Sequence, residues 1–253
     1  MKKPTDMGRN RTGALAAPAR TKELLEGAAR AVPTAAITSA PIAAVRTAYS
    51  REAEPVGTVP PPVNAKGVVK SLAEALKGHK ATVLMDLIGE RLAFERTGAR
   101  LYEALASKLE AGDAEPGRPT VEELDAIRME ELAHFQLLTG VMESLGGDPT
   151  AVTPAADIAA VSSLGLLQVL TDPRTTFNQG LKAILTAELV DNDGWSALIS
   201  LVARLGQDDL AAQFQRALDQ EEQHLALVRA WVDQGLQGDA GLQPMVPTEV
   251  RVP

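Results

Sequence analysis

The segments ELAH at residues 131–134 and EEQH at residues 221–224 decide the fold of this chain of 253 residues. Both have the form Glu-x-x-His, and together they contain two of the three histidines, His134 and His224. In a helix, this spacing places the carboxylate and the imidazole on one face, about one turn apart. The repetition predicts two helices that each present a carboxylate and an imidazole to a shared site.

Two further glutamates extend the pattern. Glu95 and Glu188 each lie on the apolar stripe of a helical stretch that precedes one of the two segments. Burying an ionised carboxylate is costly unless a counter-charge accompanies it, and Arg91 and Arg128 lie beside these stripes rather than on them. Two divalent cations would balance four carboxylates, so the sequence predicts a dinuclear metal site. Its predicted ligands are Glu95, Glu131, His134, Glu188, Glu221 and His224.

The ligand types indicate which metal such a site would take. Carboxylate and imidazole ligands suit iron or manganese and fit zinc less specifically. We therefore expect two iron ions as cofactors, with manganese as the alternative. A single Glu-x-x-His is better interpreted as a solvated charge pair. The order Glu, Glu-x-x-His, Glu, Glu-x-x-His in four helical stretches, at similar separations, is much harder to obtain by chance.

The hydrophobic periodicity predicts an all-α protein with four long helices, A to D. The expected bounds are 81–111 for helix A, Thr120 to Gly146 for helix B, Pro173 to Leu205 for helix C and Asp208 to Gly235 for helix D. Thr120-x-x-Glu123 is a capping box, and Asp172 and Asp208 are predicted caps. The links A–B and C–D are short, whereas B–C is a long crossover with a short helix at Val161–Leu170. This is the connectivity of a ferritin-like four-helix bundle.

Composition sets the remaining expectations for domains and partners. Residues 1–66 form a proline-rich arm with ten Lys and Arg against five acids, expected to be largely extended or disordered except for a short helix at Thr21–Ala31. The bundle is expected at 67–236, with a short leading helix at Val68–Lys77, and an extended tail at 237–253. A net charge of −8 argues against nucleic-acid binding. No apolar run approaches the roughly 18 residues of a membrane span, so a cytoplasmic protein is expected.

With these motifs, residues 81–235 resemble the ferritin-like di-iron carboxylate superfamily, most closely rubrerythrins and bacterioferritins. The resemblance implies terminal ligands Glu95 with His134 and Glu188 with His224, bridged by Glu131 and Glu221. Tyr102 lies where members often keep a tyrosine near the metals, although an ordinary core aromatic also fits. Asp191 lies where rubrerythrins place an extra glutamate; being shorter, it is expected to hydrogen-bond a metal-bound histidine. Glu130 and Glu222, beside the ligand glutamates, are expected to be solvated.

The resemblance also implies a di-iron oxidoreductase of the ferroxidase or peroxidase type, acting on iron with O2 or H2O2. Rubrerythrins carry a further iron centre on four cysteines, but this chain has no cysteine. Electrons would therefore come from an external donor or from ferrous iron itself. The alternatives are an iron-storage protein, a di-iron oxygenase or hydroxylase acting on an organic substrate, and a structural bundle. A homo-oligomer, at least a dimer, with the basic arm in its contacts is the expected assembly.

Overall fold

A computed structural model describes residues 14–31, 40–63, 81–112 and 117–242, and within these ranges every regular element is a helix, as predicted. The chain divides into two compact units, residues 5–55 and the remainder, which contains the long helices. In chain order the described helices are α1 (Pro18–Arg30), α2 (Ala40–Glu52), α3 (Ala81–Glu110), α4 (Val121–Ser144), α5 (Pro154–Thr171), α6 (Phe177–Arg204) and α7 (Asp208–Asp239).

The unit of residues 5–55 is more helical than predicted. It contains α1 and also α2, which the sequence analysis missed, and neither helix has a buried residue. Helix α1 begins at Pro18 rather than behind a capping Thr21, whose hydroxyl instead donates to the carbonyl of Ala14 at 3.0 Å. Proline in a first turn lacks only an N–H that has no helical partner there, so Pro18 and Pro41 can start these alanine-rich helices.

Two further predictions fall outside or at the edge of the described ranges. The short helix predicted at Val68–Lys77 lies outside the described residues. Of the tail predicted to be extended from residue 237, residues 237–239 belong to the end of α7, and 243–253 lie outside the described residues.

Helices α3, α4, α6 and α7 correspond to the predicted helices A to D, and α4 begins as predicted. The amide of Glu123 donates to Oγ1 of Thr120 at 3.1 Å, and the amide of Thr120 donates to the Glu123 carboxylate at 2.7 Å. This capping box satisfies two amides that no helical carbonyl can reach. After the end of α4, Gly146 adopts a φ of 85°, a left-handed conformation that glycine accepts without strain.

The predicted start of helix C is wrong by four residues, and the predicted cap of helix D by one. Helix α6 begins at Phe177, where Thr176 and Gln179 form a second capping box, and not at Pro173. Asp172 instead ends α5, and its carboxylate accepts from the backbone amide and the guanidinium of Arg174. Helix α7 starts with Asp208 itself after Gln207, without a side-chain cap.

The core consists of two apolar clusters, one toward each end of the bundle. The first contains Leu101 and Leu105 from the second half of α3 together with residues from the first half of α4, the first half of α6 and the second half of α7. The second cluster, around Trp195 and Phe214, takes the opposite half of each helix. Each helix therefore runs antiparallel to its hairpin partner, α3 with α4 and α6 with α7.

The crossover helix α5 returns the chain along α3. Near its start, the amide of Ala155 donates to Oδ1 of Asp86 at 2.9 Å. Gly89 lies so close to Thr153, the residue that caps α5, that a methyl group on Gly89 would collide with its side chain. At the other end, the Lys108 ammonium donates to the carbonyls of Asp172 and Thr175. Helix α5 thus runs parallel to α3 and brings α6 to the end where α4 began.

Helix α5 is longer and more apolar than predicted. It has 18 residues instead of the short helix at Val161–Leu170, and its mean hydropathy of 1.3 would, by length and composition alone, allow it to cross a membrane. This corrects the expectation that no apolar segment approaches the length of a membrane span. In the structure, one face of α5 packs against α3 and α6, while Val161 and Leu164 on the other face are exposed.

The crossover helix should contribute to folding only through its buried face. Leu170 is 2% exposed and packs in the first apolar cluster, whereas Leu164 on the same helix is 55% exposed. We expect Leu170→Ala to lower the free energy of unfolding by about 2–5 kcal/mol and Leu164→Ala to change it by less than about 0.5 kcal/mol. Urea denaturation of both variants measures this, and equal losses would contradict the packing of α5.

Candidate metal centre

The six predicted ligands lie together between the two apolar clusters. Glu95 comes from α3, Glu188 from α6, and the two Glu-x-x-His motifs from α4 and α7. Every one of the six is at most 3% exposed. Trp195 forms part of the surrounding wall, with its ring edge-on to His134 at a centroid distance of 5.7 Å. The helical periodicity that buries Leu, Ile and Phe on the same faces therefore also buries these polar groups.

The ligand atoms gather in overlapping groups. One group contains Glu131, Glu188, Glu221 and His224, and another contains Glu95, His134 and Glu221; in each, the candidate ligand atoms lie within 4.8 Å of one another. Glu131 also groups with Glu95 and Glu221, together with Asp191. Glu131 and Glu221 thus belong to both ends of the cluster, as bridging ligands must. The remaining glutamates and histidines divide into the predicted pairs.

Glu221 lies between the two histidines. Its Oε1 is 2.6 Å from Nδ1 of His134, and its Oε2 is 3.0 Å from Nδ1 of His224. The second contact is a hydrogen bond, whereas the first lacks hydrogen-bond geometry despite its short distance. Both imidazoles therefore direct Nδ1 toward the carboxylates and leave Nε2 on the outer side of the cluster.

The terminal glutamates are each held through one oxygen. The guanidinium of Arg91 donates to Oε1 of Glu95 at 2.6 Å, and the hydroxyl of Tyr102 donates to Oε1 of Glu188. Tyr102 is 2% exposed and lies beside Glu188. In each case the second oxygen, Oε2, has no hydrogen-bond partner.

The histidines are held in the same way through Nε2. Nε2 of His134 lies 3.0 Å from Oε1 of Gln220, and Nε2 of His224 lies 2.6 Å from Oε2 of Glu130. The Gln220 amide also donates to Oε1 of Glu130 at 3.3 Å, which links the two contacts. Such outer partners fix the orientation of an imidazole and leave Nδ1 as the ligand atom.

Several inner atoms of these side chains, by contrast, lack hydrogen-bond partners, whereas Nδ1 of His224 and Oε2 of Glu221 are hydrogen-bonded to each other. Within the described ranges, the buried atoms without a hydrogen bond include Oε2 of Glu95 and Glu188, Oε1 of Glu221 and Nδ1 of His134. Buried acceptors are normally satisfied by a donor, and leaving one unsatisfied costs about 1–3 kcal/mol. Unsatisfied lone pairs that converge on a common space are what a cation would satisfy. The donor set therefore fits two divalent metal ions.

The net charge of the buried side chains also favours cation binding. Among the described residues, the buried charged groups are five carboxylates (the four glutamates and Asp191) and one guanidinium, that of Arg91, which leaves −4 with neutral histidines. Arg91 forms ion pairs with both Glu95 and Asp191. Because Asp191 already balances Arg91, the four ligand glutamates still lack counter-charge, and two divalent cations would supply it.

Three outer residues differ from the sequence prediction. Asp191 contacts Arg91 and not a histidine, and Arg91 is fully buried although it was placed beside the apolar stripe. Glu130 contacts His224 and keeps a 43% exposed side chain, so it is only partly solvated, whereas Glu222 is exposed as expected. Glu130 and Gln220 share one position, directly before the glutamate of each motif. Comparing the two repeats at that position could have found them.

Two glycines make room for the charged side chains. A methyl group on Gly98, one turn after Glu95, would collide with Oε2 of Glu131. A methyl group on Gly194 would collide with the guanidinium of Arg91. Glycine is a poor residue for a helix interior, costing up to about 1 kcal/mol relative to alanine. In α3 and α6 its small size allows the carboxylate and the guanidinium to approach the neighbouring helix.

The pKa values of several buried groups in the cluster are raised, so that these groups favour their protonated forms. Burial, together with the charge of Glu221, raises the pKa of Glu188 from its usual 4.5 to about 8, against the hydrogen bond from Tyr102, and raises that of Glu131 well above its usual value. Burial lowers the pKa of His134, but the carboxylates of Glu221 and Glu95 outweigh it and raise that pKa to about 10. The cluster thus takes up protons wherever positive charge is missing.

Comparison with known proteins supports the same family. The family model for the ferritin-like domain matches residues 85–234, which span all six predicted ligands and the helices from α3 to α7. Neither a search of curated proteins nor a search of solved structures found a match.

The metal-free protein should lose stability as the pH rises from 5.5 to 8.5. A carboxyl with a raised folded-state pKa contributes its stability fully below its unfolded pKa, and the contribution disappears as the pH rises through the folded value, about 8 for Glu188. The raised pKa values of the histidines act in the same direction. Thermal melts in EDTA measure this, and Glu188→Gln should flatten the slope. A melting temperature that rises across this range would contradict it.

Gly98→Ala should weaken metal binding without unfolding the protein. The added methyl group displaces the Glu131 carboxylate, while alanine improves the helix, so we expect a loss of affinity of about 10-fold or more and a stability change within about 1 kcal/mol. Gly140→Ala is the matched control, because a methyl group on Gly140, within α4, meets nothing within 4 Å. Calorimetric titration with Co²⁺ compares the two. Equal affinities would show that Glu131 does not bind metal.

Proposed function

The chain belongs to the ferritin-like family, and on that premise we propose that it binds two divalent metal ions, most simply iron, and uses them to reduce H2O2 or O2. The observation that carries this proposal is that the outer atom of each terminal ligand is held by a neighbouring side chain, while the inner atoms of Glu95, Glu188 and His134 have no hydrogen-bond partner. The inner Nδ1 of His224 is hydrogen-bonded only within the cluster, to Oε2 of Glu221. The outer atoms are held by the side chains of Arg91, Tyr102, Gln220 and Glu130.

The metal pair would supply the electrons, since two ferrous ions provide the two that reduce H2O2 to water with two protons. Glu95 and His134 would hold one ion, Glu188 and His224 the other, and Glu131 and Glu221 both. Preorganised ligands lower the cost of rearrangement when the charge of the ions changes.

Other residues of the chain would control the polarity of the site and its access to water. The two apolar clusters above and below the site exclude water, which strengthens each electrostatic contact inside. The Tyr102 hydroxyl donates a hydrogen bond to Glu188 within the cluster and so orients that carboxylate. Burial first, and then the nearby carboxylates, raise the pKa of Tyr102, so that its proton is retained at neutral pH.

Reducing equivalents must reach the site from outside this chain or from the metal itself. The sequence contains no cysteine and so offers no thiolate-bound iron centre for electron transfer. A ferroxidase, in which Fe²⁺ is also the substrate, needs no further donor. A peroxidase with catalytic turnover needs a separate reductant.

Anaerobic loading with Fe²⁺, followed by H2O2 or O2, tests this function. We expect about two iron ions per chain, one H2O2 consumed for each pair, and a ferric absorbance band on oxidation. Uptake of many more ions per chain would instead indicate storage. Product formation only with an added organic substrate would indicate an oxygenase.

Glu131→Ala combined with Glu221→Ala should abolish both iron binding and peroxide consumption, because each residue contributes to both metal positions. Glu222→Ala is the matched control, since Glu222 is exposed and adjacent to Glu221 in the same helix. Circular dichroism establishes that both variants fold. Wild-type protein that binds no metal would refute the proposed function and leave a structural bundle.

A further inference from the structure

The two metal positions differ in the charge of the groups that hold their ligands from outside. The first, here called the Glu95 position, is defined by Glu95 and His134. The second, the Glu188 position, is defined by Glu188 and His224. The two positions use the same ligand types from equivalent helices, so any difference between them must come from the surrounding residues.

The first difference is on the histidines. His224 has the carboxylate of Glu130 at 2.6 Å from Nε2, whereas His134 has the neutral amide oxygen of Gln220 at 3.0 Å. An imidazole that donates its N–H to a carboxylate becomes a stronger base, and hence a stronger metal ligand, than one that donates to a neutral carbonyl. This favours cation binding at the Glu188 position.

The second difference concerns the terminal glutamates, and it also favours cation binding at the Glu188 position. Glu95 accepts from the guanidinium of Arg91, which withdraws negative charge from its carboxylate, while Glu188 accepts from the neutral hydroxyl of Tyr102. Asp191 shares the charge of Arg91 and so reduces this contrast. It does not reverse the contrast, because the guanidinium still directly contacts Glu95.

We propose that the Glu188 position binds the first divalent cation and the Glu95 position binds the second more weakly, and that Glu130 and Gln220 are the positioning residues that set this order. The inference rests on the proposed metal site but goes beyond it. Neither residue needs to touch a metal ion. Each acts through the histidine whose Nε2 it holds, and the 3.3 Å hydrogen bond between them couples the two.

The chain provides a matched pair of variants. Glu130→Gln and Gln220→Glu each change one charge without changing side-chain shape, and the double exchange restores both charge and composition. Removing an outer partner of a metal-bound histidine typically costs about 10–100-fold in affinity. The full-length protein, stripped with EDTA, is titrated with Co²⁺ by calorimetry, since Co²⁺ resists oxidation.

We expect wild-type protein to bind Co²⁺ in two steps. Glu130→Gln should weaken the tighter step by about 10-fold or more. Gln220→Glu alone would place a carboxylate against that of Glu130 in place of the 3.3 Å hydrogen bond, so the double exchange, which keeps an amide opposite a carboxylate, tests the effect on His134. The double exchange should reverse the order. Single variants of the ligands identify the steps: His134→Ala should retain the tighter step, and His224→Ala the weaker one.

Separate outcomes would refute the inference and the proposed function. Two equal steps in wild-type protein, or a Glu130→Gln variant that weakens the step lost in His134→Ala, would overturn the order while leaving the two-metal site intact. No binding of Co²⁺ or Fe²⁺ would overturn both. A merely structural role for Glu130 would lower the melting temperature of the metal-free protein and weaken both steps equally, and this result also contradicts the inference.

Discussion

The burial of four glutamates in an apolar bundle is the constraint on which the rest of this structure depends. Hydrophobic periodicity alone would form α3, α4, α6 and α7 and pack their faces together. It would not tolerate Glu95, Glu131, Glu188 and Glu221 at the centre, where each is at most 2% exposed. The unusual residues around these carboxylates accommodate their charge and size. Arg91 is buried as a counter-charge to Glu95, Gly98 leaves room for the Glu131 carboxylate, and Gly194 leaves room for the guanidinium of Arg91.

The sequence predicted the fold and the cluster well because both depend on periodicity. A spacing of three within a helix is fixed by geometry, so the motifs at 131–134 and 221–224 had to face inward together with the neighbouring apolar residues. Helix starts were less accurate. Asp172 and Thr176 are both good caps, but Thr176 also has Gln179 three residues later and forms a capping box, while Asp172 ends α5.

The outer partners were harder to predict because they depend on contacts between helices. Glu130 and Gln220 lie off the apolar stripe of their own helices, and a solvated position is the usual result for such residues. Only the docking of α4 against α7 brings each one to the histidine of the other helix. The family resemblance led us to expect Asp191 beside a histidine, and nothing in its own helix indicated that Arg91 of α3 would be buried beside it instead.

The shared position of Glu130 and Gln220 has a consequence for how the two halves of such a bundle can diverge. Glutamate and glutamine have the same shape, and their codons can differ by a single base. One hairpin can therefore change the electronic character of the other hairpin's histidine without any repacking of the core. The electronic character of the cluster is thus open to adjustment by mutations that leave the fold almost unaffected, even though the six clustered glutamates and histidines are fixed by the packing of four helices.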